Sequence, residues 1–164
     1  GDMLMNYSQF KTPQGQMFIL FDDSFVHGVY FDGQKYLPDF RQHQELNNHP
    51  VLERARQQLQ AYFSGESDGF DFPLAVRGTP FQQAVWQALS EIPCGETCTY
   101  MAVALKVGNP KGVRAVAQAI GHNPWSVVIP CHRVIGSSGK LTGYAGGIDR
   151  KAWLLKREGA DIPL

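Results

Sequence analysis

A thiol, an imidazole and a guanidinium follow one another in the C-terminal half of the chain, as Cys131, His132 and Arg133. They come directly after a β-branched apolar run, residues 127–129, which predicts a buried strand. Pro130 lacks a backbone donor and tends to end such a strand. Because a nearby positive charge lowers the pKa of a thiol, this setting favours the nucleophilic thiolate of Cys131. A buried structural cysteine is the alternative interpretation, since free cysteine is among the most buried residue types.

The composition is that of a globular protein. At 164 residues the chain has room for one domain or two small ones, and 43% of its residues are hydrophobic. No apolar run approaches the roughly 20 residues of a membrane-spanning helix, and no signal peptide opens the sequence. The three cysteines are an odd number, which with no secretory signal predicts reduced thiols and a cytoplasmic location. We therefore expect no membrane partner.

The formal net charge is zero, but the charges are unevenly distributed along the chain. Residues 1–77 carry 6 Lys/Arg and 10 Asp/Glu, a charge of −4. Residues 78–164 carry 9 Lys/Arg and 5 Asp/Glu, a charge of +4. A basic C-terminal half can approach a polyanion while the acidic half stays away from it. Two ordinary solvated surfaces would give the same counts, so the charge distribution alone does not show whether the protein binds a nucleic acid.

The first residues of the chain have the pattern of a small β-sheet. Residues 3–32 predict a hairpin or meander, with strands near 17–21 and 25–31 on either side of a polar turn. Residues 33–48 are polar and are predicted to connect this sheet to the next element.

A helix is predicted after this connection, with Asn48 as its N-cap and Gly65 at its end. Its apolar stripe consists of Leu52, Ala55, Leu59 and Phe63. The alternating residues Phe70, Phe72 and Leu74 predict a further short strand. Three histidines lack metal-ligand spacing, so we expect surface or capping roles for His27, His43 and His49. Nothing in this half gathers reactive groups, and residues 1–77 are interpreted as a scaffold.

Three helices are predicted between the scaffold and the cysteine. Their start and stop signals are Thr79 and Pro80 for the first, Thr99 and Gly108 for the second, and Asn109, Pro110 and Gly121 for the third. Their predicted buried residues are Phe81, Val85, Trp86 and Leu89 in the first and Val113, Val116, Ala117 and Ile120 in the third. Two short helices joined by a glycine-containing turn indicate a helix-turn-helix, although many helical hairpins bind nothing.

The predicted outward surface of the third helix has few long side chains. Its residues are Lys111, Arg114, Ala115, Gln118 and Ala119. A helix that reads the major groove usually carries several long polar side chains. Small residues allow close approach, so this surface suits the minor groove or a flat protein surface, with an ordinary solvent-facing surface as the alternative.

A glycine-rich loop and a last helix follow the cysteine. Residues 136–147 can wrap a planar ligand and present backbone groups to it, but their spacing does not match a phosphate-binding P-loop. Asp149 is predicted to begin the last helix, with Ile148, Trp153 and Leu154 packed, and Gly159 to end it. Glu158 in the last turn opposes the helix dipole, so it is either a surface accident or a partner for a nearby His or Arg.

These segments together resemble the O6-alkylguanine-DNA alkyltransferase family, also called methylated-DNA–protein-cysteine methyltransferases. The resemblance lies in PCHRV at 130–134, GSSGKLTGYAGG at 136–147, KAWLLKREG at 151–159, TPFQQAVWQALSEIPCGETCTY at 79–100 and NPKGVRAVAQAIGHNP at 109–124. It is strong over residues 79–160, and the chain is most similar to the bacterial repair enzymes without a fused transcription-activator domain. The resemblance implies an α/β (α+β) fold, with an N-terminal RNase H-like β/α domain at 1–77 and a C-terminal, mainly helical domain at 78–164. The latter would contain a winged-helix-like helix-turn-helix and bind DNA.

The resemblance also implies a role for each candidate residue. Cys131 would accept an alkyl group from O6 of guanine, or from O4 of thymine, in an in-line displacement. His132 would deprotonate Cys131 through an ordered water, with Glu158 orienting the imidazole, and Tyr100 would donate a proton to the departing base. The residues implied to bind DNA are Lys111, Arg114, Ala115 and Gln118, of which Arg114 would fill the space of a flipped nucleotide. The flipped base would enter a pocket lined by Val134, Tyr144, Ala145 and Ile120. Asn123 would brace a hinge.

The implied reaction is single-turnover, because no residue here could cleave the thioether product. The family often has Ser at position 145, and Ala145 keeps the backbone N–H but lacks the hydroxyl. Cys94 and Cys98 are expected to be core or loop residues. We expect a monomer that binds alkylated double-stranded DNA and uses neither a cofactor nor a metal.

Two other functions remain open. A non-catalytic lesion binder of the same fold would need its acceptor thiol replaced, whereas Cys131 is present. A Cys-His hydrolase would need a base held beside the thiol, and consecutive Cys131 and His132 are poorly placed for direct contact.

Overall fold

The chain divides after Val76 into two units, Gly1–Val76 and Arg77–Leu164, in a computed structural model that describes residues 4–162. Residue 3 of the predicted β region and the outermost residues of both predicted domains lie outside the described residues.

An antiparallel meander forms three strands of the sheet of the first unit, as the apolar runs on either side of the polar turn predict. Strands β1 (Asn6–Thr12), β2 (Gly15–Phe21) and β3 (Val26–Phe31) pair in sequence order. All six residues of β3 are buried. The segment predicted to be a plain connection contains a 3₁₀ turn and a short strand β4 (Gln44–Glu45), which pairs in parallel with β1.

Helix α1 (Pro50–Phe63) packs on this sheet with the predicted apolar stripe buried. Its N-cap is His49 and not Asn48, because the Val51 N–H donates to Nδ1 of His49 at 3.1 Å. The strand predicted around residues 70–74 is wrong apart from a single bridge between Val26 and Leu74. Pro73 lies in this segment and has no N–H to extend the pairing.

The described part of the second unit contains four helices: α2 (Pro80–Ser90), α3 (Tyr100–Lys106), α4 (Val113–Gly121) and α5 (Ile148–Arg157). The predicted caps of α2 and α3 are confirmed, since Thr79 forms a capping box and Thr99 accepts from the Ala102 N–H. Strands β5 (Cys98–Thr99) and β6 (Val134–Ile135) pair in parallel. None of the helices within residues 4–162 is long and apolar enough to cross a membrane.

The predicted start of α4 is wrong. Asn109 closes the end of α3, because its N–H donates to the Ala104 carbonyl at 2.9 Å. The Gly112 N–H then donates to the Asn109 carbonyl at 3.0 Å, so residues 109–112 form a turn and α4 begins at Val113. This turn connects α3 to α4, which pack against each other.

The buried face of α4 is rotated from the prediction. Ala119, predicted to face outward, is 4% exposed, and its carbonyl accepts from the Trp86 indole N–H at 2.9 Å. Val113 and Ala117, predicted to be buried, are only half-buried. On α5, Ile148 is 51% exposed and does not pack as predicted, whereas Lys151 is fully buried.

Candidate active site

The segment before the cysteine is a turn and not the predicted strand. The Ile129 N–H donates to the Trp125 carbonyl at 3.0 Å, and the Cys131 N–H donates to the Ile129 carbonyl at 2.8 Å. The Asn123 amide donates to the Ile129 carbonyl at 2.8 Å, and its oxygen accepts from the Trp125 N–H at 3.0 Å. These bonds satisfy the backbone groups that a neighbouring strand would otherwise pair, so a β-branched sequence forms a turn.

This turn is strained at Val127, whose φ is 74°. A β-branched residue rarely adopts this left-handed conformation, which costs about 1–3 kcal/mol. The Val127 side chain is nevertheless 1% exposed. Its burial and the bonds of Asn123 hold the strained turn, and they thereby fix the direction in which the chain enters Cys131.

Cys131 opens a 3₁₀ turn, Cys131–Arg133, and is 5% exposed. Burial raises the pKa of its thiol, although a hydrogen bond from Asn123 and the charge of Lys151 partly oppose this effect. The expectation of a resting thiolate is therefore wrong: desolvation disfavours the charged form more than the positive surroundings favour it. A base must remove the proton before the sulfur can act as a nucleophile.

Such a base adjoins the thiol in sequence and is completely buried. His132 Nε2 lies 2.7 Å from Glu158 Oε2, and both side chains are 0% exposed. Burial lowers the pKa of His132, although Glu158 opposes this effect, so the ring is neutral at pH 7. A carboxylate only accepts hydrogen bonds, so the ring proton lies on Nε2 and leaves a lone pair on Nδ1. His132 Nδ1 is buried and has no hydrogen-bond partner among the described residues.

Glu158 is held from a second side by Arg133. The Arg133 guanidinium donates from Nε to Oε1 at 2.8 Å and from its terminal nitrogen to Oε2 at 3.0 Å. It also donates to the Ile92 carbonyl at 2.6 Å, just beyond the end of α2. An acid at the C-cap of α5 opposes the helix dipole, and the buried guanidinium compensates for it. Glu158 is thus not a surface accident but a partner of both His132 and Arg133.

Two tyrosines lie near this cluster. The Tyr144 ring stands edge-on to His132 with centroids 6.5 Å apart, and burial raises its pKa well above the ordinary value. Tyr100 begins α3, and its hydroxyl lies 3.5 Å from both the Gly143 carbonyl and the Thr142 hydroxyl. These contacts are at the limit of hydrogen bonding, so the Tyr100 hydroxyl can turn to another acceptor.

The other candidates lie in two places. Ile120 is 6% exposed on the inner side of α4, Val134 is fully buried, and Ala145 is half-buried in the loop after β6. The exposed candidates are Arg114, Ala115 and Gln118 on one surface of α4 and Lys111 on the turn before it. Cys94 and Cys98 are half-buried and are not joined in a disulfide.

Lys151 was not singled out from the sequence. Its ammonium donates to the carbonyls of Val134, Thr142 and Gly143, at 2.5, 2.7 and 3.3 Å. The sequence signal is its position: Lys151 precedes Leu154 and Leu155 by three and four residues, which places it on the buried stripe of α5. A lysine at such a position has to find buried acceptors.

Two family models match the chain and together cover nearly all of it. The ribonuclease-like domain of 6-O-methylguanine DNA methyltransferase matches residues 5–76. The DNA binding domain of 6-O-methylguanine DNA methyltransferase matches residues 80–160.

Similar proteins agree with these matches. A methylated-DNA–protein-cysteine methyltransferase of Methanosarcina acetivorans is 46% identical over 159 residues, 95% of this chain and 99% of that protein. The crystal structure of the Mycobacterium tuberculosis O6-methylguanine methyltransferase has a TM-score of 0.88 at 42% identity, covering 98% of this chain and 96% of that chain. The crystal structure of M. tuberculosis OGT in complex with DNA has a TM-score of 0.87 at 42% identity, covering 94% and 92%. The expected RNase H-like and DNA-binding arrangement is thereby confirmed, and the chain belongs to the 6-O-methylguanine DNA methyltransferase family.

Proposed function

We propose that this protein repairs DNA by moving an alkyl group from O6 of guanine to the sulfur of its own Cys131. The observation that carries the proposal is the buried thiol next to a neutral imidazole that is held by Glu158. Family membership supplies the substrate class, because the relatives are methylated-DNA–protein-cysteine methyltransferases. O4-alkylthymine presents the same kind of alkyl carbon and is included in the proposal.

His132 activates the thiol. Its Nδ1 carries a lone pair, while Nε2–H donates to Glu158, so the ring accepts a proton at Nδ1. Adjacent side chains rarely meet directly, so one water between Sγ and Nδ1 carries the proton. The protonated ring then lies against the Glu158 carboxylate, which stabilises its charge.

The displacement leaves negative charge on the departing guanine, and a proton donor neutralises it. The sulfur of Cys131 bonds to the alkyl carbon as the bond from that carbon to O6 breaks. Guanine would leave as an anion, and Tyr100 donates its hydroxyl proton so that the base departs neutral. The phenolate of Tyr100 recovers a proton afterwards from solvent or from His132.

The product is a thioether, and each molecule therefore acts once. Water does not cleave the alkylated Cys131 under cellular conditions, because a thiolate is a poor leaving group from an unactivated alkyl carbon. The reaction needs no cofactor and no metal, because thiol, base and acid are all supplied by side chains. We propose a monomer that works in the cytoplasm, where its three thiols stay reduced.

DNA reaches the site through the second unit. We propose that α4 lies in the minor groove, since its exposed surface offers Arg114 among small residues. Arg114 fills the space of the flipped nucleotide, while the base enters a pocket lined by Val134, Tyr144, Ala145 and Ile120. Asn123 braces the hinge between α4 and the cysteine turn. Residues 78–164 thus form the DNA-binding and acceptor domain, and residues 1–77 the scaffold.

Intact-mass measurement after mixing with a duplex that carries O6-methylguanine tests the proposal. The expected result is one added methyl group, found on the Cys131 peptide, with loss of activity in the same proportion. Binding without a mass change would indicate a lesion binder instead. Repeated turnover by one protein molecule would indicate a hydrolase.

A further inference from the structure

Lys151 is a fully buried lysine, and the mechanism above does not use it. Its three ammonium hydrogens meet three carbonyl acceptors, on Val134, Thr142 and Gly143. A buried ammonium is costly unless its hydrogen-bonding capacity is satisfied, and here each donor has an acceptor. Burial still lowers the pKa of Lys151 to about 8, so the amine is mostly protonated at pH 7.

The three acceptors belong to two segments that are distant in sequence. Val134 begins β6 directly after the Cys131 turn, whereas Thr142 and Gly143 lie in the loop of residues 136–147. The Lys151 ammonium also lies 5.9 Å from the centre of the Tyr100 ring, within the range of a cation–π contact. One charged group on α5 therefore bonds the strand and the loop that line the proposed base pocket, and it also lies over Tyr100, the proposed proton donor.

The loop has few strong bonds of its own to hold it there. The Gly136 N–H donates to the Lys140 carbonyl at 2.9 Å, and the Gly147 N–H donates to the Tyr144 carbonyl at 2.9 Å. Both bonds are local. Outside the loop, Tyr144 hydrogen-bonds Ser126 and the Arg150 guanidinium donates to the Gly146 carbonyl at 3.3 Å, whereas Lys151 bonds both the loop and β6. The helix itself does not depend on Lys151 in the same way, since Leu154 and Leu155 bury its apolar stripe.

We propose that Lys151 is a positioning residue that assembles the base pocket by tying the 136–147 loop to β6 and to Tyr100. This inference rests on the proposed function, because it assigns the loop to the alkylated base. The hydrogen bonds of Lys151 go to backbone carbonyls of β6 and the loop, and not to the sulfur of Cys131. Its effect is on how well the pocket receives a flipped base, and therefore on the lesion concentration needed for reaction.

The variant Lys151→Met tests this inference, since it keeps the length of the side chain and removes the donors. The three carbonyls then lose a partner, the one on Val134 in a buried setting, and the loop is released from β6. In single-turnover reactions with an O6-methylguanine duplex, we expect the half-saturating concentration to rise about tenfold. The limiting rate should fall by a smaller factor, because the charge of Lys151 only partly opposes the burial that raises the pKa of the Cys131 thiol. Lys156→Met, an exposed position on the same helix, is the matched control and should match the wild type in both parameters.

Amide hydrogen exchange gives a second readout that does not require repair activity. Peptides from residues 136–147 should exchange faster in Lys151→Met, whereas peptides from α2 and α4 should be unchanged. If the methionine variant fails to fold, Lys151→Gln keeps one donor group without the charge and should show the same changes at a smaller size.

Three results would overturn the inference: a lower limiting rate at an unchanged half-saturating concentration, unchanged loop exchange, or faster exchange throughout the second unit. If the wild type transfers no methyl group but the loop still loosens selectively in the variant, the proposed function fails while the tie between Lys151 and the loop stands.

Discussion

Replacing Glu158 with Gln separates the chemical role of the carboxylate from its structural role. Both carboxylate oxygens of Glu158 accept hydrogen bonds: Oε1 from Arg133, and Oε2 from His132 and Arg133. A Gln side chain has only one oxygen, and an NH₂ group takes the place of the other. If the new NH₂ group faces His132, it must donate to Nε2, and the ring proton moves to Nδ1. If the NH₂ group faces Arg133 instead, two donors meet.

The first orientation inactivates the base, because Nδ1 can no longer accept a proton from the thiol. General-base catalysis contributes roughly 10²–10⁴ in rate, so the rate of methyl transfer by Glu158→Gln should fall by a factor in that range. The variant should also lose about 3–5 kcal/mol of stability, since it leaves the buried Arg133 without its counter-charge. The two effects have to be separated before the rate can be interpreted.

The double variant Arg133→Met with Glu158→Gln makes this separation. It removes the uncompensated guanidinium, so it should be more stable than Glu158→Gln alone, although it loses the bond to the Ile92 carbonyl. Its rate should stay low, because the tautomer of His132 is still not fixed. Urea unfolding gives the stabilities, and quenched-flow transfer from an O6-methylguanine duplex gives the rates. A folded Glu158→Gln protein that reacts within about threefold of the wild type would refute the role of the His132–Glu158 pair.

Three further predictions concern other parts of the molecule. Arg114→Ala should slow repair of duplex DNA at least about tenfold and leave the reaction with free O6-alkylguanine base unchanged, because only the duplex requires base flipping, which costs a few kcal/mol. Equal losses on both substrates would contradict the proposal that Arg114 fills the space of the flipped nucleotide. In a Cys131→Ser background, the stability contribution of Lys151 should rise between pH 8 and 10.5, because its pKa falls from 10.5 to about 8 on folding and the unfolded chain then binds more protons. Urea unfolding with and without Lys151→Met measures this slope, and parallel curves would contradict it. Thr79→Ala should cost about 1 kcal/mol by removing the capping box of α2, with repair per folded molecule unchanged; an unchanged unfolding midpoint would show that the cap contributes nothing.

Elements with strong local signals were predictable from the sequence. The meander follows from apolar runs separated by a polar turn, and α1, α2 and α3 follow from apolar periodicity and caps, which act over a few residues. The start of α4 was not predictable in this way. Asn109 and Pro110 resemble a helix start, but the Asn109 N–H is used to close α3. Residues 127–129 were mistaken for a strand because their β-branched types are typical of one. The bonds from Asn123 that replace strand pairing come from outside the run.

The site was only partly predictable for a similar reason. Adjacent residues such as Cys131 and His132 are visible in the sequence, and the misplaced acid Glu158 was a recognisable signal. The resting state of the thiol was not predictable, since it depends on burial that exceeds the effect of nearby charge. Lys151 was overlooked because its acceptors are backbone carbonyls, which no side-chain pattern reveals.

The central claim is that the sulfur of Cys131 receives one alkyl group and keeps it. Titration with a duplex whose O6-methyl group carries an isotopic label tests this most directly, with wild type and Cys131→Ser compared at increasing lesion excess. We expect label in the wild type to saturate at one methyl group per protein molecule, located on Cys131, and Cys131→Ser to take up none. Label that appears on another residue, or free methanol released in excess of the protein, would contradict it.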